Sequence, residues 1–396
     1  MKRKLIIPLL LSVLCMQSYA QQGKANKELL KKADETLQFA ARQYKLMAQH
    51  LPDSVLPKTT SKTGTLETSN SRWWCSGFYP GTEWYLYEYT KDPAFKAEAL
   101  KRMAIIEKEK NNKGTHDLGF MMYCPFGNAY RITKDPAYKA VLLTSAASLS
   151  TRFNPTVGCI KSWDHGTWKF PVIIDNMMNL ELLTWATKAG GDKKFAEIAK
   201  THANTTIKNH FRPDYSSYHV IDYDPATGAV VQKKTHQGYA DSSAWSRGQA
   251  WGLYGYTMMY RETKDKKYLE QAKHIAEYIL NNPNMPADLV PYWDYNAPNI
   301  PNALRDVSAA AVAASALLEL SKYTDKATGN RYWGSAEKML TSLCSPAYLA
   351  QEGENNDFIL MHSVGSLPHN SEVDVPLTYA DYYFVEALLR YKQWAK

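Results

Sequence analysis

Two aspartates stand directly ahead of apolar segments and are the residues best suited to acid–base chemistry. Asp117 precedes the apolar residues 118–122, and Asp175 follows the apolar residues 171–174. Two carboxyl groups at neighbouring helix starts can face each other across a cavity, and their proximity separates their pKa values. The apolar approach to Asp175 favours its protonated form, so it could act as an acid near neutral pH. The alternative is that both aspartates only cap helices, because Asp is a preferred N-cap residue.

Aromatic and basic residues in the same part of the sequence are suited to binding an acidic sugar. The chain has 27 Tyr and 11 Trp, whose flat apolar faces and polar edges match sugar rings. Trp245 and Trp251 are six residues apart, which predicts a turn before a helix, with Arg247 exposed between them. Arg247 could bind a carboxylate through two parallel hydrogen bonds, and a structural ion pair would explain it equally well. The tryptophans would also fit a packed core.

The motifs of metal and nucleotide chemistry are absent from the sequence. It contains no H-E-x-x-H, no P-loop and no G-x-G-x-x-G, and its five cysteines show no C-x-x-C spacing. We therefore expect no metal and no other cofactor. No lysine- or arginine-rich run suggests nucleic acid. The formal charge of +8, which becomes +5 without the basic residues 2–4, is compatible with an anionic ligand.

The first 20 residues have the pattern of an export signal. Basic residues 2–4 precede an apolar run at 5–15, and small residues near Ala20 form a cleavage site. The apolar run is too short to span a bilayer. A lipid anchor at Cys15 is less favoured, because bulky Leu14 stands where a small residue would be expected. We predict a soluble periplasmic protein with no membrane span. After removal of residues 1–20 the chain would keep four cysteines, which either form disulfides or are free buried thiols: Cys75, Cys124, Cys159 and Cys344.

A degenerate repeat organises the rest of the chain. Each copy is a turn with an aspartate helix cap, followed by an amphipathic helix. The aspartates are Asp92, Asp135, Asp192, Asp265 and Asp325. Helices rich in aromatic and small residues alternate with these more polar ones, and they begin near Pro80, Phe120, Asn176, Gly248, Val307 and Tyr382. Six such pairs indicate stacked helical hairpins.

Six helical hairpins can close into a ring that leaves no open end. The inner helices would be apolar on nearly all sides, as residues 309–320 are. The sequence therefore predicts an all-α fold, an (α/α)6 barrel of six inner and six outer helices, formed as one catalytic domain by residues 21–396. Strand signals are confined to residues 218–223 and 229–233. The loops that enter the inner helices would gather around one end of the central cavity.

Four segments, taken in their order along the chain, form a highly specific combination. They are HDLGF at 116–120, IIDNMMNL at 173–180, WSRGQAW at 245–251 and YADYYF at 379–384. They resemble the unsaturated glucuronyl hydrolases of glycoside hydrolase family 88, and the resemblance covers nearly the whole chain after residue 20. The related unsaturated rhamnogalacturonyl hydrolases usually have Asn where this chain has Gln249, so they rank second.

The resemblance implies an (α/α)6-barrel hydrolase that needs no cofactor. Its substrates would be glycosaminoglycan fragments left by polysaccharide lyases, which carry a 4,5-unsaturated uronic acid at the non-reducing end. The enzyme would release this sugar by protonation and hydration of the C4=C5 vinyl ether, with Asp175 as general acid/base and Asp117 as its essential partner. The implied substrate-binding residues are His219, Gln237, Arg247 and Trp74, with Trp163, Trp245 and Trp251 as walls.

Residues 362–369 are the candidate segment for recognising the second sugar. In some relatives, two serines and a following lysine there are associated with sulfate recognition. Ser363 and Ser366 are present, but Pro368 stands in place of the lysine, which argues against a sulfate preference by that route. Two other protein classes remain. A non-catalytic sugar-binding barrel would not need both aspartates, and a sugar epimerase would need histidine pairs in the cavity.

Overall fold

Helices that alternate between an inner and an outer ring form most of the molecule. The computed structural model describes residues 25–395, so the predicted signal peptide at 1–20, Cys15 included, lies outside the described residues. In chain order the helices are α1 (Lys27–His50), α2 (Phe78–Thr90), α3 (Pro93–Ile106), α4 (Asn128–Thr133), α5 (Pro136–Ser150), α6 (Asn176–Lys188), α7 (Lys194–His210), α8 (Ser246–Thr263), α9 (Lys266–Asn281), α10 (Val307–Leu320), α11 (Lys326–Leu343) and α12 (Thr378–Trp394). Even-numbered helices are inner and odd-numbered helices are outer.

The inner helices pack side by side into a closed ring. A π-helical segment, Gly119–Gly127, precedes α4 and supplies most of that inner position. The last helix, α12, packs against both α10 and α2, which closes the ring, and α1 packs on its outer side. The backbone N–H of Asn26 donates to the Tyr391 hydroxyl at 3.2 Å, which ties the start of α1 to α12. The predicted (α/α)6 barrel of six inner and six outer helices is confirmed.

Small residues let the inner helices approach closely. All fourteen residues of α10 are buried, as the apolar sequence of this helix predicts. Between α8 and α6, a Cβ atom at Gly255 would lie 2.5 Å from the Cβ of Met177. Only glycine fits at that separation. The small and aromatic residues that mark these segments in the sequence are therefore the residues that pack the inner ring tightly.

The repeated Thr-Lys-Asp turn ends one helix and begins the next. At the first copy, the Thr90 hydroxyl donates to the Leu86 carbonyl, and Lys91 adopts a left-handed conformation at φ 61°. The Asp92 side chain then accepts the N–H of Ala94 at 2.9 Å and caps α3. The copies at 133–135 and 263–265 repeat these bonds. The predicted aspartate caps are confirmed at Asp92, Asp135, Asp265 and Asp325. At the remaining copy the N-cap of α7 is Lys193, and Asp192 just before it accepts the Lys194 N–H at 2.9 Å.

Short antiparallel strands lie in the connections that lead from outer to inner helices. They are β1 (Leu56–Thr60), β2 (Leu66–Ser69), β3 (Phe153–Asn154), β4 (Cys159–Ile160), β5 (Pro171–Ile173), β6 (Val220–Tyr223), β7 (Val230–Lys234), β8 (Ser363–Ser366) and β9 (Ser371–Val375). Strands β5, β6 and β7 form one sheet, and β1–β2, β3–β4 and β8–β9 are separate pairs. The two strand signals in the sequence match β6 and β7. The others are too short for a period-2 pattern to stand out.

Two further expectations concern membranes and thiols. None of the helices between residues 25 and 395 combines the length and the apolar character needed to cross a membrane. All four cysteines of this part of the chain, Cys75, Cys124, Cys159 and Cys344, are buried and unpaired. The buried-thiol alternative is therefore correct.

Candidate active site

The starts of the inner helices meet at one end of the ring. The Trp74 ring, ahead of α2, lies 4.8 Å from that of Tyr379 at the start of α12 and 5.6 Å from that of Phe120. Phe120 in turn lies 5.3 Å from Trp251 in the first turns of α8. These contacts join segments more than 300 residues apart. The predicted convergence of the entering loops is confirmed.

Asp175 lies at the junction of β5 and α6, and its side chain points into this end of the ring. It occupies the N-cap position of α6, as the helix-cap alternative expects, but its side chain forms no capping hydrogen bond. Its Oδ2 atom is buried and has no hydrogen-bond partner among residues 25–395. This oxygen lies 3.7 Å from Nε2 of His219. The Ile174 N–H donates to the His219 carbonyl at 3.1 Å, so the pairing of β5 with β6 positions both side chains.

Burial raises the pKa of Asp175 to about 7. The Arg247 guanidinium opposes this shift, and the negative charge of Asp117 adds to it. The direction agrees with the sequence-based expectation, although burial contributes more than the proximity of the second carboxyl group. A carboxyl group with this pKa is partly protonated at neutral pH and can both give and take a proton.

His219 presents a neutral imidazole to Asp175. Its Nδ1 accepts the backbone N–H groups of His236 and Gln237 at 3.2 and 3.1 Å. An imidazole that accepts at Nδ1 carries its proton on Nε2. Burial lowers the pKa of His219 well below its ordinary value, so the ring stays neutral. The Nε2–H group therefore faces Asp175 as a hydrogen-bond donor.

Asp117 lies two residues ahead of the π-helical segment. Its Oδ2 accepts the Thr115 hydroxyl at 2.8 Å, and its Oδ1 lies 3.3 Å from Nε2 of His116. Within the described chain this helical segment starts without a side-chain cap, so the capping alternative is wrong for Asp117. Its charge reaches Asp175 and favours the protonated form of that residue.

Arg247 is buried, and the prediction that it would be exposed is wrong. Its Nη1 bonds Asp306 Oδ2 at 2.9 Å and the Val364 carbonyl at 2.5 Å, and its Nη2 bonds the Gly365 carbonyl at 2.6 Å. The guanidinium also stacks 4.4 Å from the Trp245 ring. The structural ion pair therefore exists, and it ties α8 and α10 to strand β8. The sequence could not show this, because Asp306 and β8 lie 59 residues or more away along the chain.

The remaining predicted residues surround the same point. Gln237 Nε2 donates to the Gly365 carbonyl at 3.1 Å, so Gln237 and Arg247 share one backbone acceptor. The Trp163 ring lies 5.7 Å from that of His236, which makes it a side wall of the site. In β8, Ser363 is fully buried, and the Ser366 hydroxyl forms a 2.7 Å hydrogen bond with Nδ1 of His369.

Three further residues belong to the site: Tyr379 and His236, which were not predicted, and His369, which lies in the segment 362–369 predicted to recognise the second sugar. Tyr379 lies between Trp74 and Trp251, with the Arg247 guanidinium 5.3 Å from its ring. Its place in the YADYYF segment is the sequence feature that could have identified Tyr379 as a site residue. His236 and His369 contact each other at 4.4 Å. They are 133 residues apart, and no sequence pattern joins them.

Several buried polar atoms of the site have no partner among the described residues. They are Trp163 Nε1, Asp175 Oδ2, His219 Nε2, Trp245 Nε1, Trp251 Nε1, Ser363 Oγ and Tyr379 Oη. Buried polar groups are normally paired, so such a concentration is typical of a site that bonds a polar ligand. Between residues 25 and 395, no group of three or more His, Cys, Asp or Glu residues is placed to hold a metal ion. The aromatic walls, the neutral donors and Asp175 suit proton transfer to a bound sugar.

The chain is similar over most of its length to an enzyme of known activity. It is 45% identical over 388 residues to an unsaturated glucuronyl hydrolase of Formosa agariphila, which covers 96% of this chain and 94% of that relative. No protein-family model matches the chain.

Solved structures of two such enzymes superpose on the barrel. An unsaturated glucuronyl hydrolase specific for heparin superposes with a TM-score of 0.90 at 52% identity, over 92% of this chain and 97% of that one. A variant of the unsaturated glucuronyl hydrolase of Streptococcus agalactiae, complexed with dGlcA-GalNAc6S, superposes with a TM-score of 0.81 at 28% identity, over 99% of both chains.

Proposed function

This chain belongs to the unsaturated glucuronyl hydrolases of glycoside hydrolase family 88, and from that premise we propose its substrate and the roles of its residues. It is a glycoside hydrolase that releases a 4,5-unsaturated uronic acid from the non-reducing end of lyase-generated oligosaccharides. The relatives favour this activity over rhamnogalacturonyl hydrolysis and over sugar binding without catalysis. The structural observation that carries the proposal is the buried pair of Asp175 Oδ2 and His219 Nε2, 3.7 Å apart.

Asp175 acts first as an acid and then as a base. The protonated carboxyl group gives its proton to C4 of the vinyl ether, which leaves positive charge at C5 that the ring oxygen stabilises. The Asp175 carboxylate then takes a proton from water as the water oxygen bonds C5. The resulting hemiketal opens to a ketone at C5, and the hemiacetal left at C1 expels the second sugar as an alcohol. A pKa of about 7 suits both halves of this cycle.

Asp117 and His219 support this proton transfer from two sides. The negative charge of Asp117 favours the protonated form of Asp175, so more of the enzyme is ready to protonate C4. The Nε2–H of His219 can donate a hydrogen bond to an oxygen of the sugar. Because the His219 ring is neutral, it adds no positive charge that would favour the ionised form of Asp175. The buried indole N–H groups of Trp163, Trp245 and Trp251 provide further donors around the sugar.

The proposed substrate class is an unsaturated glycosaminoglycan disaccharide, with heparin-derived fragments as the first candidate. The heparin-specific relative shares 52% of its aligned residues with this chain and superposes with a TM-score of 0.90. The uronic acid common to all these fragments supplies a carboxylate for the neutral N–H donors of the site, while Arg247, whose hydrogen bonds go to Asp306, Val364 and Gly365, holds α8 against β8.

The test is the loss of ultraviolet absorbance from the conjugated double bond. Purified enzyme is incubated with unsaturated disaccharides from heparin, chondroitin and hyaluronan and with unsaturated rhamnogalacturonan fragments. The Asp175→Asn variant, assayed in the same way, is the matched control. We expect absorbance loss, fastest with a heparin disaccharide, and a rate lower by about a hundredfold or more in the variant. Absorbance loss only with unsaturated rhamnogalacturonan fragments, or equal rates in both proteins, would contradict the proposal.

We also propose that the enzyme is exported to the periplasm. The support is the basic, apolar and small-residue order of residues 1–20. Lyase products formed outside the cytoplasm would then reach the enzyme directly. Fractionation of the native host, with N-terminal sequencing of the purified protein, should find the enzyme in the periplasmic fraction with Gln21 as its first residue. A cytoplasmic protein that keeps residues 1–20 would refute this.

A further inference from the structure

Lysines border the end of the ring that lies opposite the candidate active site. Because the inner helices all begin at the active-site end, they all finish at this opposite end. Each of them has a lysine in its last turn or within two residues after it. These lysines are Lys91, Lys134, Lys188, Lys264, Lys322 and Lys392. We call this set the lysine ring.

The positive charge of the chain is concentrated at this end. The segments that carry the lysine ring contain sixteen Lys and Arg residues and eight Asp and Glu residues; they are residues 88–96, 131–139, 188–194, 261–267, 319–326 and 390–394. This excess is larger than the formal charge of +5 that the chain has after residue 20, so the remainder is slightly acidic. Helix dipoles do not offset the excess, because the negative ends of the inner helices lie beside the positive starts of the outer helices.

Most members of the lysine ring have no carboxylate partner. Lys188 is paired with Glu262 at 2.8 Å, and Lys392 is paired with Asp34. The other four lysines form no ion pair within residues 25–395. A lysine at a helix C-terminus stabilises its own helix, but that role leaves the ammonium group free to bind an anion as well.

The cations at this end are close enough to repel one another. Burial lowers the pKa of Lys322, and the charges of Arg390, Arg261 and Lys264 add to the shift, although Glu319 opposes it. An anion bound beside Lys322 would relieve this repulsion.

Aromatic rings lie beside these lysines at the mouth of a cavity. The Lys322 ammonium lies 3.7 Å from the centre of the Trp394 ring, and that of Lys134 lies 5.6 Å from the centre of the Tyr130 ring. Tyr130 in turn contacts Trp185 at 5.6 Å. All three rings are only partly buried, and they line a cavity of about 860 Å³. Ligand sites span about 300–1,000 Å³, so this cavity is large enough to admit part of a ligand.

We propose that the lysine ring and the aromatic mouth beside it form a second binding surface, which holds an intact acidic polysaccharide chain of the glycosaminoglycan type. Sulfate and carboxylate groups along the chain pair with the unpaired lysines, and sugar faces pack on the rings of Trp185 and Tyr130. The choice of polymer rests on the proposed function, because the substrates are fragments of such chains. An enzyme held on the polymer meets its fragments at a raised local concentration.

An anionic membrane fits this surface less well than a polysaccharide does. The large apolar side chains that are exposed between residues 25 and 395 are Trp73, Val230, Val231 and Tyr239. All four lie in connections that enter inner helices, which places them at the active-site end. The lysine ring therefore offers lipid tails no exposed apolar side chain of the kind that membrane-surface proteins insert.

The test measures binding to heparin chains whose non-reducing ends are saturated, so that the active site finds no substrate among them. The chains are immobilised, and binding of the purified protein is measured by surface plasmon resonance at about 0.1 M salt, which screens charges only beyond about 10 Å. One triple variant removes three unpaired members of the lysine ring, with Lys134→Gln, Lys264→Gln and Lys322→Gln. The matched control removes the same charge from exposed lysines elsewhere, with Lys108→Gln, Lys208→Gln and Lys338→Gln.

We expect the Kd for heparin to rise about tenfold in the lysine-ring variant, because each of three exposed charge pairs contributes modestly. The control variant should change the Kd by less than about twofold. Both variants should hydrolyse unsaturated disaccharides at the wild-type rate, which shows that they are folded. Equal loss of binding in both variants, or no binding by the wild type, would overturn the proposal.

Two further probes decide whether the partner is a polysaccharide. Phosphatidylglycerol vesicles and duplex DNA replace heparin in the same assay, and we expect both to bind the wild type more weakly than heparin does. Binding of either probe as tightly as heparin would contradict recognition of a sugar chain. The wild-type absorbance assay tests the proposed hydrolysis separately, so failure of one proposal does not imply failure of the other.

Discussion

At the scale of single residues, Asp175 combines its chemical role with a cost in stability. Its carboxyl group is buried, and burial raises its pKa from 3.8 to about 7. A group whose pKa is higher in the folded than in the unfolded protein destabilises the fold as it ionises. The penalty is absent below about pH 4, grows as pH rises, and is complete above about pH 7. The acid that suits C4 protonation is therefore a weak point of the fold at neutral pH.

Asp175→Asn is accordingly expected to stabilise the protein in a pH-dependent way. The amide has a similar shape and cannot ionise, so the free energy of unfolding should rise by about 2–4 kcal/mol at about pH 8 and change little at about pH 4. Urea denaturation at the two pH values measures this difference. A variant that is less stable than wild type at the higher pH would show that the ionised carboxylate is stabilised by its surroundings.

The pH dependence of catalysis should follow the same carboxyl group. With an unsulfated disaccharide, kcat/KM should fall as pH rises through about 7, because Asp175 loses the proton that it gives to C4. In Asp117→Asn the residual activity should fall at a lower pH, since the charge of Asp117 helps keep Asp175 protonated. Full pH–rate profiles of both proteins test this. A falling limb at the same pH in both would mean that Asp117 does not tune Asp175.

The properties of these site residues could be predicted from the sequence only where they depend on neighbouring residues. The apolar approach to Asp175 is local, and it predicts the correct direction of the pKa shift. The burial of Arg247 depends on Asp306, 59 residues away, and on the carbonyl of Val364, 117 residues away. The contact of His236 with His369 likewise needs the closed ring. Such pairings are decided by the fold and leave no periodicity in a single sequence.

At the scale of elements, the helices could be predicted from the sequence better than the strands. The Thr-Lys-Asp turn is predictable because every bond in it lies within a few residues, as with Thr90 to Leu86 and Ala94 to Asp92. The hairpins β1–β2 and β8–β9 lie inside long connections and are stabilised by each other and by α12. Strand β8 in particular is held by Arg247, which belongs to another element. Its position could not follow from its own sequence.

Two glycine-to-alanine changes should separate inner from outer helix packing. Gly255→Ala would place a Cβ 2.5 Å from the Cβ of Met177, so we expect a loss of about 1–3 kcal/mol from overpacking between α8 and α6. Gly334→Ala in the outer helix α11 meets no described atom within 4 Å, and the better helix propensity should add about 0.5–1 kcal/mol. Thermal or urea unfolding of the two variants checks that their free energies of unfolding change in opposite directions. A stabilised Gly255→Ala would contradict the tight inner ring.

At the scale of the whole molecule, the two ends of the ring differ in what they do. The end where inner helices begin carries the unpaired polar atoms of the site, whereas the other end carries a cavity of about 860 Å³ lined by aromatic and charged side chains. There, Arg261 on α8 bonds Glu181 on α6 and Glu319 on α10, and Arg390 on α12 reaches Glu319 at 3.3 Å. These ion pairs connect four inner helices and close the ring opposite the chemistry.

Removing Arg261 should therefore weaken the ring without changing the reaction. Burial raises the pKa of Glu181 to about 7 even though Arg261 opposes the shift, so Arg261→Met leaves Glu181 and Glu319 with less compensation. We expect a loss of about 3–5 kcal/mol at about pH 8, and a smaller loss at about pH 5, where the unpaired carboxyl groups can take up protons. Well below its unfolding temperature the variant should keep the wild-type kcat, because Asp175 and His219 lie at the other end of the inner helices. A folded variant with a reduced kcat would instead show that the two ends of the barrel are coupled.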